Sequence, residues 1–340
     1  MRGESGIVLL MDVQQTRSIL TVALMAAFAD GSKDERERDA IRRLAETLGT
    51  DSGVDMPALY RDVLLGKPEL ASVVSPLATP ELRQYAYEMA VGVVNADGAQ
   101  GAAETAFLQR LAQALGLSQQ AAQATAGAAS AVADAAIGPD DEVVAPAAGA
   151  GEPASPLQGA VLGKASISDA EMDRVILKAS ITNAALELLP ETIASMAIIP
   201  LQMRLVYRIG QSYGYPMDRT HAKDFIATLG VGLTSQYVEQ FGRKLLGGLL
   251  GGLAGGLGRT LGRQAASSGL TFATTYAIGR VAQRYYAGGR TLDAAMLKQT
   301  FNELLAEARG MAPRYQNDIE QAARTIDTRN LVSLVRSGSG

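Results

Sequence analysis

The stretch ADGSKDERERDAIRRLAETLG at residues 29–49 decides the fold of the first part of the chain, because it recurs as ADGAQGAAETAFLQRLAQALG at residues 96–116. Each copy joins an Ala-Asp-Gly turn to a segment whose apolar residues recur at three- and four-residue spacing, the pattern of an amphipathic helix. Gly49 and Gly116 end the two copies, and glycine is typical just after a helix. The duplication predicts an all-helical bundle with internal two-fold pseudosymmetry.

The helical spacing continues on both sides of the repeat. It predicts helices at 19–29, 34–48, 57–65, 80–95, 102–115, 170–189, 218–246, 270–286 and 292–309. No run of alternating β-branched residues competes with this pattern. The predicted fold class is therefore all-α, with two helical bundle domains.

Between the two predicted bundles the sequence becomes rich in Ala, Gly, Ser and Pro. Such a segment buries too little apolar surface to offset the entropy of ordering it. The predicted domains are a helical bundle with the duplication at 1–136, a disordered Ala/Gly/Pro linker at 137–164, a basic glycine-rich helical domain at 165–312, and a C-terminal helix and tail at 313–340.

Composition excludes several function classes. The 340 residues include no Cys and one His, which removes thiol catalysis and makes a zinc site improbable. The sequence also lacks a phosphate-binding P-loop and a serine hydrolase elbow. The first residues carry no secretory signal pattern, so the predicted location is cytoplasmic. Together these features predict a protein that is not an enzyme.

Two acidic residues recur at the same spacing in both copies of the repeat and form the candidate metal site. They are Asp30 and Glu37 in the first copy, and Asp97 and Glu104 in the second. Carboxylates beside glycine turns suit hard divalent cations such as Ca²⁺, Mg²⁺ or Mn²⁺. The alternative is that these residues only cap helices. In the second copy Gly101 replaces the capping residue, yet Glu104 persists, which capping alone does not require.

The repeated phrase resembles the signature of the TerB family, small helical domains first associated with tellurite resistance. The resemblance covers residues 10–118. It implies an all-helical domain whose paired acidic residues bind divalent metal ions and which takes part in membrane-linked stress complexes.

Charge and glycine distinguish the later part of the chain. Acidic residues outnumber basic ones before residue 137, whereas from 201 to 290 Arg and Lys are opposed only by Asp218, Asp224 and Glu239. Residues 245–258 consist mainly of Leu and Gly but are shorter than the ~20 residues of a straight transmembrane helix. The alternatives are a helical hairpin in one leaflet, an interfacial helix, or a close contact inside a soluble bundle. The candidate contact residues are Arg243, Lys244, Gly247, Gly251, Gly255, Arg259 and Arg263.

A second resemblance covers residues 175–290. Its phrases are Ile199-Pro200-Leu201-Gln202-Met203 and Thr274-Thr275-Tyr276-Ala277-Ile278-Gly279-Arg280. They are similar to an uncharacterised helical domain found beside some bacterial GTPases and related to the YcjF-like membrane proteins. This resemblance implies a membrane-associated, GTPase-linked setting and no enzymatic activity.

Together these features predict a non-catalytic, membrane-associated adaptor or stress-response protein that senses divalent cations through the acidic repeat. The expected partners are an anionic membrane surface or partner helices, with a GTPase and a second copy of the chain as further candidates and no nucleic acid. The expected location is cytoplasmic, peripheral to or partly inserted in the inner membrane. Two alternatives stay open, a soluble accessory partner of a GTPase and a hydrolase with a carboxylate-bound metal.

Overall fold

The computed structural model describes residues 12–31, 54–97, 101–137, 165–189, 191–232, 234–240 and 257–338, with side chains from residue 267 onward in the last range. Within these ranges every regular element is a helix, which confirms the all-α prediction. The predicted helix at 34–48 and nearly all of the predicted linker lie outside the described residues. Two compact units form, one from Met1–Ser130 and Gly232–Ser267, the other from Ala131–Val231 and Ser268–Gly340.

The first unit is built around its first helix. Its helices are α1 (Val13–Ala27), α2 (Met56–Leu64), α3 (Leu70–Val74), α4 (Pro80–Val94), α5 (Ala102–Ala114) and the first part of α6 (Gln119–Asp134). Helix α1 packs against α2, α3, α4 and α5. Its side chains from Ile19 to Leu24 are all buried, so α1 is the central helix of this core.

The duplication extends further towards the N-terminus than the repeated phrase. Helices α1 and α4 occupy equivalent positions in the two copies, and each has 15 residues. Their N-cap residues are equivalent as well: the Asp12 carboxylate accepts from the Gln15 N–H at 2.7 Å, and the Thr79 hydroxyl accepts from the Leu82 N–H at 3.3 Å. Since α1 and α4 also pack together, the two copies share one core.

The second unit is a helical bundle. Its helices are α7 (Asp169–Leu188), α8 (Thr192–Met196), α9 (Ile198–Ser212), α10 (Arg219–Thr228), most of α11 (Leu257–Ala287), α12 (Ala294–Met311), α13 (Gln316–Thr325) and α14 (Leu331–Ser337). Helix α7 packs against α8, α9 and α13, while α9 also contacts α10 and α14.

Polar side chains join α7, α9 and α11 inside this core. Asn183, Gln202 and Thr275 are all fully buried. The Thr275 hydroxyl accepts from both side-chain amides, each at 3.1 Å. One turn further along α11, a Cβ on Gly279 would lie 2.9 Å from Ile176, so glycine is what permits the close approach of α7. These contacts fix the position of α7, which forms a wall of the candidate site described below.

Three helix predictions for the second part of the chain are wrong in their bounds. The helix predicted at 218–246 is interrupted, because α10 ends at Thr228 and Gly230 adopts a left-handed φ of 81° before a new helical segment at 234–240. The helix predicted at 270–286 begins earlier, at Leu257. The C-terminal part contains α13 and α14 rather than one helix, since the backbone leaves the helical conformation at Ile326 and Asp327.

Candidate functional site

Both aspartates of the acidic repeat lie at the ends of equivalent helices. Asp30 lies in the turn after α1. Gly31 closes this turn with a φ of 68°, and its backbone N–H donates to the Phe28 carbonyl at 3.1 Å. Asp97 ends the short 3-10 helix that follows α4. Each aspartate is therefore next to the negative end of a helix dipole, and the two helices pack together.

Glu104 has a local structural role. Its side chain is 4% exposed, and its carboxylate accepts the backbone N–H of Gly101 at 2.8 Å. Glu104 is the third residue of α5, so this is the carboxylate half of a capping box. The expectation that capping does not require Glu104 is wrong, because a glycine at the N-cap still has an N–H that needs an acceptor.

The remaining parts of the proposed metal site lie at or beyond the limits of the described structure. Glu37 lies outside the described residues, and of Asp97 only the backbone is described. Among the residues that are described, no three His, Cys, Asp or Glu side chains are grouped so as to hold a metal ion. The four-carboxylate site at Asp30, Glu37, Asp97 and Glu104 thus stays a prediction.

Most of the predicted membrane or partner contact also falls outside the description. Arg243, Lys244, Gly247, Gly251 and Gly255 lie outside the described residues. Arg259 and Arg263 lie in α11, with only their backbone described. None of the described helices combines the length and apolarity needed to cross a bilayer.

Several arginines that create the basic excess are engaged within the second unit. Arg219 donates to the Ala133 carbonyl at 2.8 Å and pairs with Asp134 at 3.0 Å, while Arg204 donates to the Ala136 carbonyl at 3.4 Å. Both arginines therefore bind carbonyls at the carboxyl end of α6, where positive charge also complements the helix dipole. Residues 131–137, including the fully buried Ala136, belong to this second unit.

Arg208 and Arg280 also bind other helices of the second unit. Arg208 donates to the carbonyls of Ser337 and Gly338 at the end of α14, at 3.4 and 3.0 Å. Burial and the nearby charge of Arg204 lower the pKa of Arg208. Arg280 pairs with Asp173 of α7. Carboxylates therefore offset the charges of Arg219 and Arg280, whereas Arg208 bonds to neutral carbonyls at an exposed position and keeps its charge.

A groove of about 800 Å³ runs between α7, α13 and α14. Its first wall consists of Arg174, Leu177, Lys178, Ile181 and Thr182, and its second of Asn330, Ser333, Leu334 and Ser337. Each set follows the three- and four-residue spacing of one helix face. The end of α13, with Ala322, Thr325, Ile326 and Asp327, completes the lining. The surface that lines the groove is mostly apolar.

The charges at the groove are unequal. Arg174 and Lys178 are exposed and lie one turn apart on α7. The single acidic residue of the lining, Asp327, is bound by the Arg329 guanidinium at 2.9 and 3.1 Å and by the Asn330 amide at 3.0 Å. Hydrogen bonds from Arg329 lower the pKa of Asp327. Arg174 and Lys178 are the two basic side chains of the lining, and both lie on its α7 wall.

The sequence does not predict the groove. The signal in α7 is visible in the sequence as an apolar stripe with two basic residues at helical spacing. Nothing local, however, indicates that α13 and α14 lie beside it, because more than a hundred residues separate the two walls. The groove could only be found once the C-terminal helices were placed.

Comparison with known proteins gives one match. Residues 11–129 match a family model described as a protein of unknown function, DUF533, which is TerB-like. No curated protein matches the chain, and no solved structure does. The later resemblance, to the GTPase-associated and YcjF-like domain, has no support from these comparisons. The first part of the chain, with its duplicated helices α1 and α4, is thus similar to the TerB-like DUF533 family.

Proposed function

We propose that this chain is a non-catalytic adaptor whose second unit holds a helical segment of a partner protein in the groove between α7, α13 and α14. The observation that carries the proposal is the groove itself, which has a mostly apolar lining and helix-spaced residues on two walls. Grooves of this kind bind amphipathic helices through anchors at i, i+3, i+4 and i+7. A volume of about 800 Å³ also lies within the range of ordinary ligand sites.

The test uses a displayed library of 14-residue amphipathic helices with a fixed apolar stripe, in which every other position is Glu, Gln, Lys or Ser. The full chain is the bait. Ser333→Trp places a bulky ring in the groove, and Gln321→Trp places the same ring on an exposed position of α13 outside the lining. We expect helices that bind wild type and Gln321→Trp but not Ser333→Trp. If no helix binds, or if every helix that binds the wild-type chain also binds Ser333→Trp, the adaptor function is refuted.

Divalent cation sensing by the first unit is a second proposed function. It is supported by the equivalent positions of Asp30 and Asp97, each at the carboxyl end of a helix, where a carboxylate is disfavoured by the helix dipole. A cation shared by the repeats would offset that repulsion. Ca²⁺, Mg²⁺ or Mn²⁺ should then raise the melting temperature, and Asp30→Asn with Asp97→Asn should abolish the shift. If the wild-type chain melts at the same temperature with and without cations, Asp30 and Asp97 only form turns.

Association with an anionic membrane is proposed for the segment that contains Arg243, Lys244, Arg259 and Arg263. The support is its basic and glycine-rich sequence, since basic residues beside apolar helices are attracted to anionic headgroups. The full chain should sediment with phosphatidylglycerol vesicles, and Gln at those four positions should reduce the bound fraction. A chain that stays in the supernatant with every vesicle composition would favour the soluble, GTPase-accessory alternative.

A further inference from the structure

The two helical walls of the groove differ in how the fold holds them. Helix α7 has 20 residues and packs against α8, α9 and α13. Helix α14 has only 7 residues and follows α13 after a break at Ile326 and Asp327, where the backbone is extended. A helix this short is not stable by itself. The position of α14 therefore depends on its contacts with other helices.

Helix α9 is one of the helices that contact α14, and Arg208 of α9 binds its carboxyl end. The Arg208 Nη1 donates to the carbonyls of Ser337 and Gly338 at 3.4 and 3.0 Å. Carbonyls at the end of a helix accept such bonds, and a cation there also complements the helix dipole. The buried side chains of Leu331 and Val335, one turn apart, hold the apolar face of α14. Arg208 thus adds a polar link to an apolar contact.

The residue that ends α14 leaves room for this link. Gly338 has a φ of 61°, in the left-handed region that glycine adopts without strain. A Cβ at this position would lie 3.0 Å from the Arg208 Nη1 and 3.1 Å from the Arg204 Cγ. A larger residue would therefore displace the guanidinium from the carbonyls. The hydrogen bonds and the glycine are two separate observations that identify the same contact.

Helix α9 also contacts the other wall. It packs against α7, and Gln202 of α9 and Asn183 of α7 both donate to the buried Thr275 hydroxyl at 3.1 Å. The α14 wall is thus joined to the α7 wall through α9. Arg208 itself lies outside the lining of the groove, so its link to the groove runs through α14.

We propose that Arg208 is a positioning residue of the groove, which holds α14 at the distance from α7 that a partner helix requires. The inference rests on the proposed adaptor function and adds to it a residue that does not touch the partner. Without the link, α14 occupies the binding position for only part of the time. The apparent dissociation constant then rises in inverse proportion to that fraction.

The test measures the affinity of the full chain for the best selected helix, one that binds wild type but not Ser333→Trp. Arg208→Met keeps an aliphatic stem and removes every donor. We expect it to weaken binding about tenfold and to speed amide exchange of α14 in the free chain. Arg208→Lys, which restores a cationic donor, should recover part of the affinity. Arg336→Met is the matched control, because Arg336 is exposed on α14 and lies outside the lining.

A second variant changes the same contact from the side of α14. Gly338→Ala should displace Arg208 and weaken binding as well. Since both changes act on one contact, Arg208→Met combined with Gly338→Ala should weaken binding less than the product of the two single effects. A full product of the two effects would mean that they act separately, and would contradict the positioning role.

The remaining outcomes separate the inference from the adaptor function. Wild-type affinity in Arg208→Met would refute the positioning role and leave the adaptor function standing. An equal loss of affinity in Arg336→Met would mean that binding responds to the charge of α14 rather than to the link, and would refute the role too. The absence of any helix that depends on the groove would remove both the function and the inference.

Discussion

The two units use polar side chains over different distances along the chain. In the first unit, Asp12, Thr79 and Glu104 each bond to a backbone N–H three residues away. In the second, Arg219 reaches Asp134 and Arg280 reaches Asp173. Helix starts are capped locally in both units, as at Ser168 in the second, but the bonds of Arg219 and Arg280 join segments of the second unit that lie 85 and 107 residues apart. The following changes probe this difference, in order of decreasing effect on stability.

The buried hydrogen bonds of Thr275 should give the largest effect. Thr275→Val removes the acceptor of two buried amides, from Asn183 and Gln202, and each buried donor left without a partner costs about 1–3 kcal/mol. We expect a loss of about 2–4 kcal/mol in the free energy of unfolding. Urea titration followed by hydrogen exchange of peptides from α7 and α9 measures it. Thr274→Val, at a partly exposed neighbour, is the control, and an equal loss there would contradict the assignment.

Replacing each of two helix glycines by alanine should change the stability of the chain in opposite directions. Gly127 in α6 is exposed, and an added Cβ would meet nothing within 4 Å, so Gly127→Ala should gain about 0.5–1 kcal/mol of stability from helix propensity. Gly279 in α11 would place a Cβ 2.9 to 3.1 Å from Ile176 and Leu205. Gly279→Ala should therefore cost about 1–3 kcal/mol through overpacking.

Thermal or urea unfolding of the two variants under the same conditions measures whether each one gains or loses stability. Stabilisation by Gly279→Ala would mean that α7 can move away from α11 without loss. The close approach that positions the groove wall would then be less rigid than the contacts imply.

Arg219 should affect the end of α6 locally. Arg219→Gln removes the bond to the Ala133 carbonyl and the pair with Asp134, a charged hydrogen-bond set worth roughly 1–2 kcal/mol when partly buried. Exchange of the amide hydrogens of residues 131–137 should accelerate about tenfold, since a 1.4 kcal/mol difference is a factor of ten. Arg284→Gln, at an exposed position of α11, should leave those rates unchanged. Unchanged rates in Arg219→Gln would show that apolar contacts alone hold this segment.

Loss of the Glu104 cap should be the smallest of these effects. Glu104→Gln keeps the shape of the side chain but weakens its bond to the Gly101 N–H, so we expect a loss of about 0.5–1 kcal/mol. Thermal unfolding measures it, with Glu81→Gln in the first turn of α4 as an exposed control. A larger loss that appears only when divalent cations are present would show that Glu104 is a ligand as well as a cap.

The local rules predict much of the first unit from the sequence. Pro80 at the first position of α4 and Gly116 after α5, with a φ of 67°, lie where the sequence places a helix start and a helix end. The break after α10 was missed because it depends on Gly230, and isolated glycines occur inside helices as well as after them. Helical spacing of apolar residues alone does not distinguish a glycine inside a helix from one that ends it.

The candidate site in the second unit could not be predicted for a different reason. Composition predicts that the positive charge of 201–290 is a surface feature, but Arg204, Arg208 and Arg219 bind backbone carbonyls at helix ends distant in sequence. Likewise, the stripe that contains Leu177 and Ile181 becomes a groove wall only when α13 and α14 are in place. Both features depend on tertiary contacts that no short segment encodes.

Hydrogen exchange of the full chain, with and without the best selected helix, tests whether the groove of the second unit binds a partner helix. A bound helix should slow exchange in α7, α13 and α14, because its apolar face excludes solvent from the groove. The same measurement on Ser333→Trp should show no slowing at equal peptide concentration. Protection confined to other helices, or protection of these three that persists in Ser333→Trp, would contradict the account.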